Sequence, residues 1–137
     1  MQLDHVVLWV EDPIRSIEFF EKVVGFAPVR VEEYIAKKIL FPSVRVDDNT
    51  LIDLLPLSAA PMINQIPGAA GTAGHKTNHL CLAMTKAEYD ALEQRLDAYG
   101  RKAGRHMEKQ FGARGFAARA YYFTDPDGNV LEARYYE

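Results

Sequence analysis

The feature that most constrains this chain is an order of elements that can be read twice. Residues 2–10 (Gln-Leu-Asp-His-Val-Val-Leu-Trp-Val) are rich in β-branched and large apolar side chains and predict a strand. Asp12-Pro13 supplies an N-cap and a first helical residue. Ile14, Ile17, Phe20 and Val24, with Phe19 and Val23 beside them, then recur at helical spacing as far as Gly25, a C-cap residue. Strand-like runs follow at about 26–34, 36–46 and 50–57, with turns at Glu32-Glu33 and Asp47-Asp48-Asn49. The order then repeats. Residues 77–84 predict a strand. Thr85 caps a helix with Glu88 at the capping-box position, and Ala87, Ala91, Leu92, Leu96 and Tyr99 form its buried face up to Gly100. Strands at about 103–110, 116–124 and 129–136 complete the set, the last two joined by a turn at Asp125-Pro126-Asp127-Gly128-Asn129. The reading is α+β: strand, helix and three strands, twice over. It forms a single domain, with a first module of about 1–57, a linker at 58–75 and a second module of about 76–137.

The linker contains Gly-Ala-Ala-Gly-Thr-Ala-Gly, but His75-Lys76-Thr77 follows where a P-loop needs Gly-Lys-Ser/Thr, so it is read as a connection. A net charge of −3 gives no basic face for nucleic acid and no polybasic membrane anchor. No apolar run approaches the ~20 residues of a membrane helix. The opening Met-Gln-Leu-Asp-His does not read as a signal peptide. Cys81 is the one cysteine, which excludes an intrachain disulfide; the cytoplasm is the expected address.

Strand side chains alternate in direction. His5, Val7 and Trp9 therefore share a face of the first strand, and Leu51, Asp53 and Leu55 one of the fourth. His79, Cys81 and Ala83 share a face of the fifth, and Val130, Glu132 and Arg134 one of the last. Each module offers a His in its opening strand and a carboxylate in its closing strand. Asp53 and Glu132 stand among apolar neighbours, where an unpaired carboxylate is costly and a bound cation is one way to offset the cost. Two imidazoles and one or two carboxylates suit one divalent ion of the Fe, Mn, Ni, Co or Zn kind. His75, in a Gly-rich loop, and His106 are read as loop and surface residues.

Four segments carry a resemblance: residues 3–10, 12–26 (Asp-Pro-Ile-Arg-Ser-Ile-Glu-Phe-Phe-Glu-Lys-Val-Val-Gly-Phe), 78–82 (Asn-His-Leu-Cys-Leu) and 122–132 (Tyr-Phe-Thr-Asp-Pro-Asp-Gly-Asn-Val-Leu-Glu). Together they resemble the vicinal oxygen chelate superfamily, the group of glyoxalases, bleomycin-resistance proteins and extradiol dioxygenases. The resemblance implies two βαβββ modules whose curved mixed sheets form a cup. It implies His5, His79 and Glu132 as ligands of one divalent metal, and a homodimer acting on a small oxygenated molecule. Asp53 falls where glyoxalase I-like members carry a fourth ligand, usually Glu. One carbon shorter, it is open to a water-bridged or base role. Trp9 stands where glutathione-dependent members have Arg, which speaks against a glutathione thioester. Tyr122 stands ten residues before Glu132, as in extradiol enzymes, but the His that accompanies it there is missing from 111–119.

The implied chemistry is therefore of lyase or isomerase type, through a metal-stabilised oxyanion. Glu132, Asp53 and Tyr122 would be the proton-handling groups, and Trp9, Cys81 and Arg134 would line the substrate pocket. Ring-cleaving dioxygenase chemistry and non-catalytic drug or metabolite binding are the alternatives.

Overall fold

The computed structural model describes residues 3–68, 70–71 and 73–137. Gln2 of the expected first strand, and residues 69 and 72 of the expected linker, lie outside them. The chain forms two compact units, Met1–Lys76 and Thr77–Glu137.

In the first unit β1 (His5–Val10) alternates as its sequence requires: Leu8 and Val10 are buried, and His5 and Val7 are exposed. Asp12 then accepts the backbone N–H groups of Ile14 and Arg15, at 2.9 and 3.3 Å, and caps α1 (Pro13–Phe19). This helix widens into a π turn, Phe20–Val24, closed by Gly25 at φ 93°. The Phe20 carbonyl accepts from both Gly25 and Phe26, at 2.8 and 2.9 Å. Ile17, Phe19, Phe20 and Val23 are buried, whereas Ile14 stays 39 % exposed.

The strands are β2 (Ala27–Val29), β3 (Ser43–Asp47) and β4 (Thr50–Pro56), in sheet order β1-β4-β3-β2. Leu8, Val10, Val44, Ile52 and Leu54 are all buried at 2 % exposure or less and belong to this unit's core. The first and last strands are neighbours and parallel, with Val7 opposite Asp53. The remaining pairs are antiparallel.

The long strands expected at 26–34 and 36–46 are shorter than their composition predicts. Residues Val31–Ile35 form a one-turn helix, α2, with Glu32 and Glu33 in its first turn, where carboxylates suit the helix dipole. Arg30 and Lys37, at φ 60° and 57°, break the extended run on either side. The expected linker begins as a 3₁₀ turn, Leu57–Ala59, and a short helix, α3 (Ala60–Ile63).

In the second unit β5 (Leu80–Ala83) leads to α4 (Lys86–Ala98), whose capping box forms as the sequence predicts. Thr85 Oγ1 accepts the Glu88 N–H, and Glu88 accepts the Thr85 N–H in return. Those hydrogen bonds hold the Glu88 carboxyl below its ordinary range. The buried stripe of α4 is Tyr89, Leu92 and Leu96, whereas Tyr99, expected on it, is 38 % exposed.

A hairpin of β6 (Phe111–Gly112) and β7 (Gly115–Phe116) precedes β8 (Arg119–Thr124) and β9 (Val130–Tyr135). The sheet order is β5-β9-β8, and again the opening and closing strands are parallel neighbours. Residues 103–110, expected as a strand, follow the edge of β8 irregularly. Gly104, Met107 and Lys109 donate to the carbonyls of Tyr122, Ala120 and Ala117, but only Met107 and Ala120 form a bridge. Lys109 at φ 54° interrupts the extended backbone.

The turn between β8 and β9 is organised by Asp125, which is fully buried. Its Oδ1 accepts from Asp127 N and Asn129 N at 2.9 and 2.7 Å, and its Oδ2 from Asn129 Nδ2 at 2.8 Å. Burial raises the Asp125 carboxyl above its ordinary 3.8, and the bonds from Asn129 oppose the rise. A folded value above the unfolded one means the folded chain holds the extra proton, so this group's contribution falls as pH rises from 3.8 through the folded value.

Asp125→Ala leaves buried N–H groups unpaired and is expected to cost about 2–4 kcal/mol in urea unfolding. Asp125→Asn, which keeps the acceptor at Oδ1, is expected to cost less. The difference between wild type and Asp125→Asn should shift against the wild type as pH rises through that window.

Candidate metal and substrate site

The adjacency of opening and closing strands sets each His beside a carboxylate. In the first unit His5 Nδ1 lies 2.8 Å from Asp4 Oδ2. A carboxylate oxygen only accepts, so Nδ1 carries the proton and Nε2 keeps a lone pair in the neutral ring. The Asp4 hydrogen bond, with the charge of Asp53 behind it, raises the basicity of the ring. His5 Nε2 lies 4.0 Å from Asp53 Oδ2. Asp53 is buried, and its Oδ1 accepts the Ser43 hydroxyl at 2.6 Å. Val7 and Trp9 share the His5 side of β1, as strand parity predicts.

The second unit repeats this wiring. His79 Nδ1 lies 2.6 Å from Asn78 Oδ1, an amide oxygen that again accepts and leaves Nε2 unprotonated in the neutral ring. His79 Nε2 lies 3.3 Å from Glu132 Oε2. Cys81, Glu132 and Tyr122 stand abreast across β5, β9 and β8. The His79 ring meets the Tyr122 ring edge-on at 5.3 Å. Burial and the Glu132 charge raise the Tyr122 hydroxyl, which therefore stays a donor at neutral pH.

The two pairs differ in what they fit. Metal bonds from imidazole and carboxylate are about 2.0–2.2 Å long, so two donors 3.3 Å apart subtend about 105° at one ion. That is an ordinary angle between neighbouring ligands. Donors 4.0 Å apart would subtend about 145°, which suits Asp53 poorly as a direct ligand beside His5. A divalent ion therefore fits His79 and Glu132 by donor type and spacing. Within either unit, among the described residues, no three His, Cys, Asp or Glu side chains converge as a ready-made metal cluster.

Arg134 alters the electrostatic argument drawn from the sequence. It is 6 % exposed and lies on Glu132 itself, with Nη2 and Nε 2.5 and 3.1 Å from Oε1. Its Nη1 donates to the Phe111 carbonyl at 3.0 Å and to the Tyr136 hydroxyl at 3.4 Å. Burial works against the guanidinium's charge, but Tyr136 and Glu132 outweigh it and hold the proton more firmly than usual. Gly112 makes room for this group, because a methyl there would overlap Arg134 Nη1 and the Tyr136 hydroxyl. Neither buried carboxylate is unpaired, then: Ser43 serves Asp53, and Arg134 serves Glu132.

Sequence reasoning missed Ser43, Asn78, Gly112 and Tyr136. The polar residue before each His, Asp4 and Asn78, was a usable signal. Ser43 emerges only from the register that sets it opposite Asp53.

His106 also departs from its surface reading. It is partly buried, with Nδ1 3.0 Å from the Tyr89 hydroxyl and Nε2 2.8 Å from Glu93 Oε1. It borders a cleft of about 820 Å³ beside α4, with Tyr89, Glu93, Arg119 and Tyr135 also on its walls. None of the expected site residues lines that cleft. His75 is exposed, as its loop predicts.

Cys81 belongs to the row of Glu132. Although Cys81 is exposed at its surface, desolvation by the groups packed around the sulfur first, and the Glu132 charge second, push its thiol up to about 11. At pH 8 that leaves a thiolate fraction of about 10⁻³, against about a quarter for a free thiol near 8.5. The greater nucleophilicity of the more basic thiolate recovers about ten-fold. Cys81 is thus expected to react with iodoacetamide roughly twenty-fold more slowly than free cysteine at pH 8. A rate equal to free cysteine would refute the perturbed environment.

Comparison with known proteins agrees with the fold. The chain is 27 % identical over 136 residues to the virulence protein STM3117 of Salmonella typhimurium, covering 98 % of this chain and 84 % of that protein. An integron cassette protein from the mobile metagenome of V. cholerae matches with a TM-score of 0.76 at 26 % identity, covering 100 % of this chain and 96 % of the other. A cassette protein from V. pseudocholerae matches with a TM-score of 0.77, also at 26 % identity, covering 100 % and 95 %. Residues 2–133 match the Glyoxalase/Bleomycin resistance protein/Dioxygenase superfamily, and the chain belongs to that family.

Proposed function

We propose that this protein is a divalent-metal-dependent enzyme acting on a small oxygenated molecule by lyase or isomerase chemistry. The observation that carries the reading is the separation of His79 Nε2 and Glu132 Oε2, 3.3 Å, with the imidazole proton held on the far nitrogen by Asn78. A hydrogen bond that fixes the tautomer and aims Nε2 is the usual support of a metal-ligating imidazole. In this reading His5 completes the ligand set, as its matched place in the first module implies. The bound ion, of the Fe, Mn, Ni, Co or Zn kind, would supply Lewis-acid polarisation of a substrate oxygen.

The chain's own residues would do the rest. Tyr122, kept protonated, would donate to negative charge developing on the substrate. Asp53, oriented through Oδ1 by Ser43, would use Oδ2 as a proton acceptor. Glu132 Oε2 would serve as ligand and, on release, as a second proton carrier. Trp9 would provide an aromatic surface for the substrate. Cys81 and Arg134 would support Glu132 from beneath. The working form would be a homodimer.

One observation favours a second reading. Because Arg134 already neutralises Glu132, the same fold could hold a drug or metabolite with no ion at all. Metal analysis and calorimetry separate the two. The enzyme reading predicts one divalent ion per chain, with affinity reduced about ten- to a hundred-fold or more in His79→Ala and Glu132→Ala. No stoichiometric metal, with both variants binding ligand as wild type does, would sink it in favour of the binding protein.

A further inference from the structure

We infer that Arg134 is a built-in restraint on metal binding. It occupies Glu132 Oε1, so the carboxylate offers one oxygen only, and it places a buried positive charge against the ligand. The inference rests on the metal reading of His79 and Glu132, and goes beyond it by assigning the residue that sets how tightly that pair holds an ion.

The geometry is specific. A carboxylate can ligate through both oxygens, and both of those on Glu132 are spoken for. Oε2 faces His79 Nε2 at 3.3 Å, and Oε1 is bracketed by two N–H groups of Arg134, at 2.5 and 3.1 Å. The bracket is itself anchored. Phe111 O and the Tyr136 hydroxyl hold Nη1, and Gly112 leaves the space that the guanidinium fills. With those two hydrogen bonds on Nη1 added to the two on Glu132, Arg134 cannot swing aside without breaking hydrogen bonds in a buried site. In the first unit, among the described residues, the closing-strand carboxylate is held instead by the neutral hydroxyl of Ser43. The asymmetry is local to the second unit. It makes a weakly held, one-oxygen Glu132 the natural state of the pair, an arrangement that leaves coordination positions open to a chelating substrate.

The test is a Co(II) titration of wild type, Arg134→Gln and Arg134→Lys, read by competition with a chromophoric chelator and by the visible absorption of bound Co(II). Arg134→Gln removes the charge and frees Oε1. It is expected to bind Co(II) about ten-fold tighter or more, with an altered absorption as the second oxygen joins. Arg134→Lys keeps a buried cation but cannot bracket Oε1, and should fall between the two. It decides the matter if Arg134→Gln loses its near-ultraviolet circular dichroism.

Tighter binding in the variants supports the inference, including the case in which only the variants bind. That case would at the same time refute metal dependence of the wild-type chain. Metal binding in the wild type with equal or weaker affinity in a folded variant overturns the inference and leaves the metal reading standing. No Co(II) binding by any of the three overturns both.

Discussion

In each unit the chain leaves its first strand through a helix, and its last strand returns to lie parallel beside that first one. That return determines everything at the site. Parallel pairing of β1 with β4 puts Val7 opposite Asp53, and parallel pairing of β5 with β9 puts Cys81 opposite Glu132. His5, two residues before Val7 on β1, and His79, two residues before Cys81 and just ahead of β5, then lie near that carboxylate. A slip of one residue in either register would turn the acid to the opposite face, into the apolar core. The core residues of the closing strands, Ile52 and Leu54 in one unit and Leu131 and Ala133 in the other, are what prevent the slip.

Much of this was legible because strands alternate and helices announce their ends. Asp12 and Thr85 cap the helices they were expected to cap, and Gly25 adopts the left-handed conformation of a helix terminus. The faces of β1 and β9 follow from parity alone. Where legibility failed, a local signal was outweighed. Val31–Ile35 is as apolar as a strand, but two adjacent acids favour a helical turn. Residues 103–110 have partners along β8, but Gly104 and Lys109 deny them regular geometry.

The faces of the candidate site were legible from strand parity, and the couplings between its side chains were not. Parity placed Arg134 on the same face as Glu132. It could not reveal that the guanidinium folds back on the carboxylate, because that depends on side-chain torsions and on Gly112, which lies twenty-two residues away in sequence. The expectation that a bound cation is one way to offset the cost of a buried acid did not foresee Arg134, which pairs Glu132 from its own strand. His106 was misread because nothing near it in sequence foretells Tyr89 and Glu93, which reach it from α4.

The residues that hold the two imidazoles differ by one functional group. Asp4 brings a full negative charge to His5, whereas Asn78 offers His79 a neutral amide. A charged partner, as Asp4 is, raises the basicity of the ring it holds. The two halves of this internal repeat are alike in shape and unlike in electrical character. The first module's imidazole is anchored by a full charge and the second module's by a dipole, so the two anchors of this internal repeat are not interchangeable.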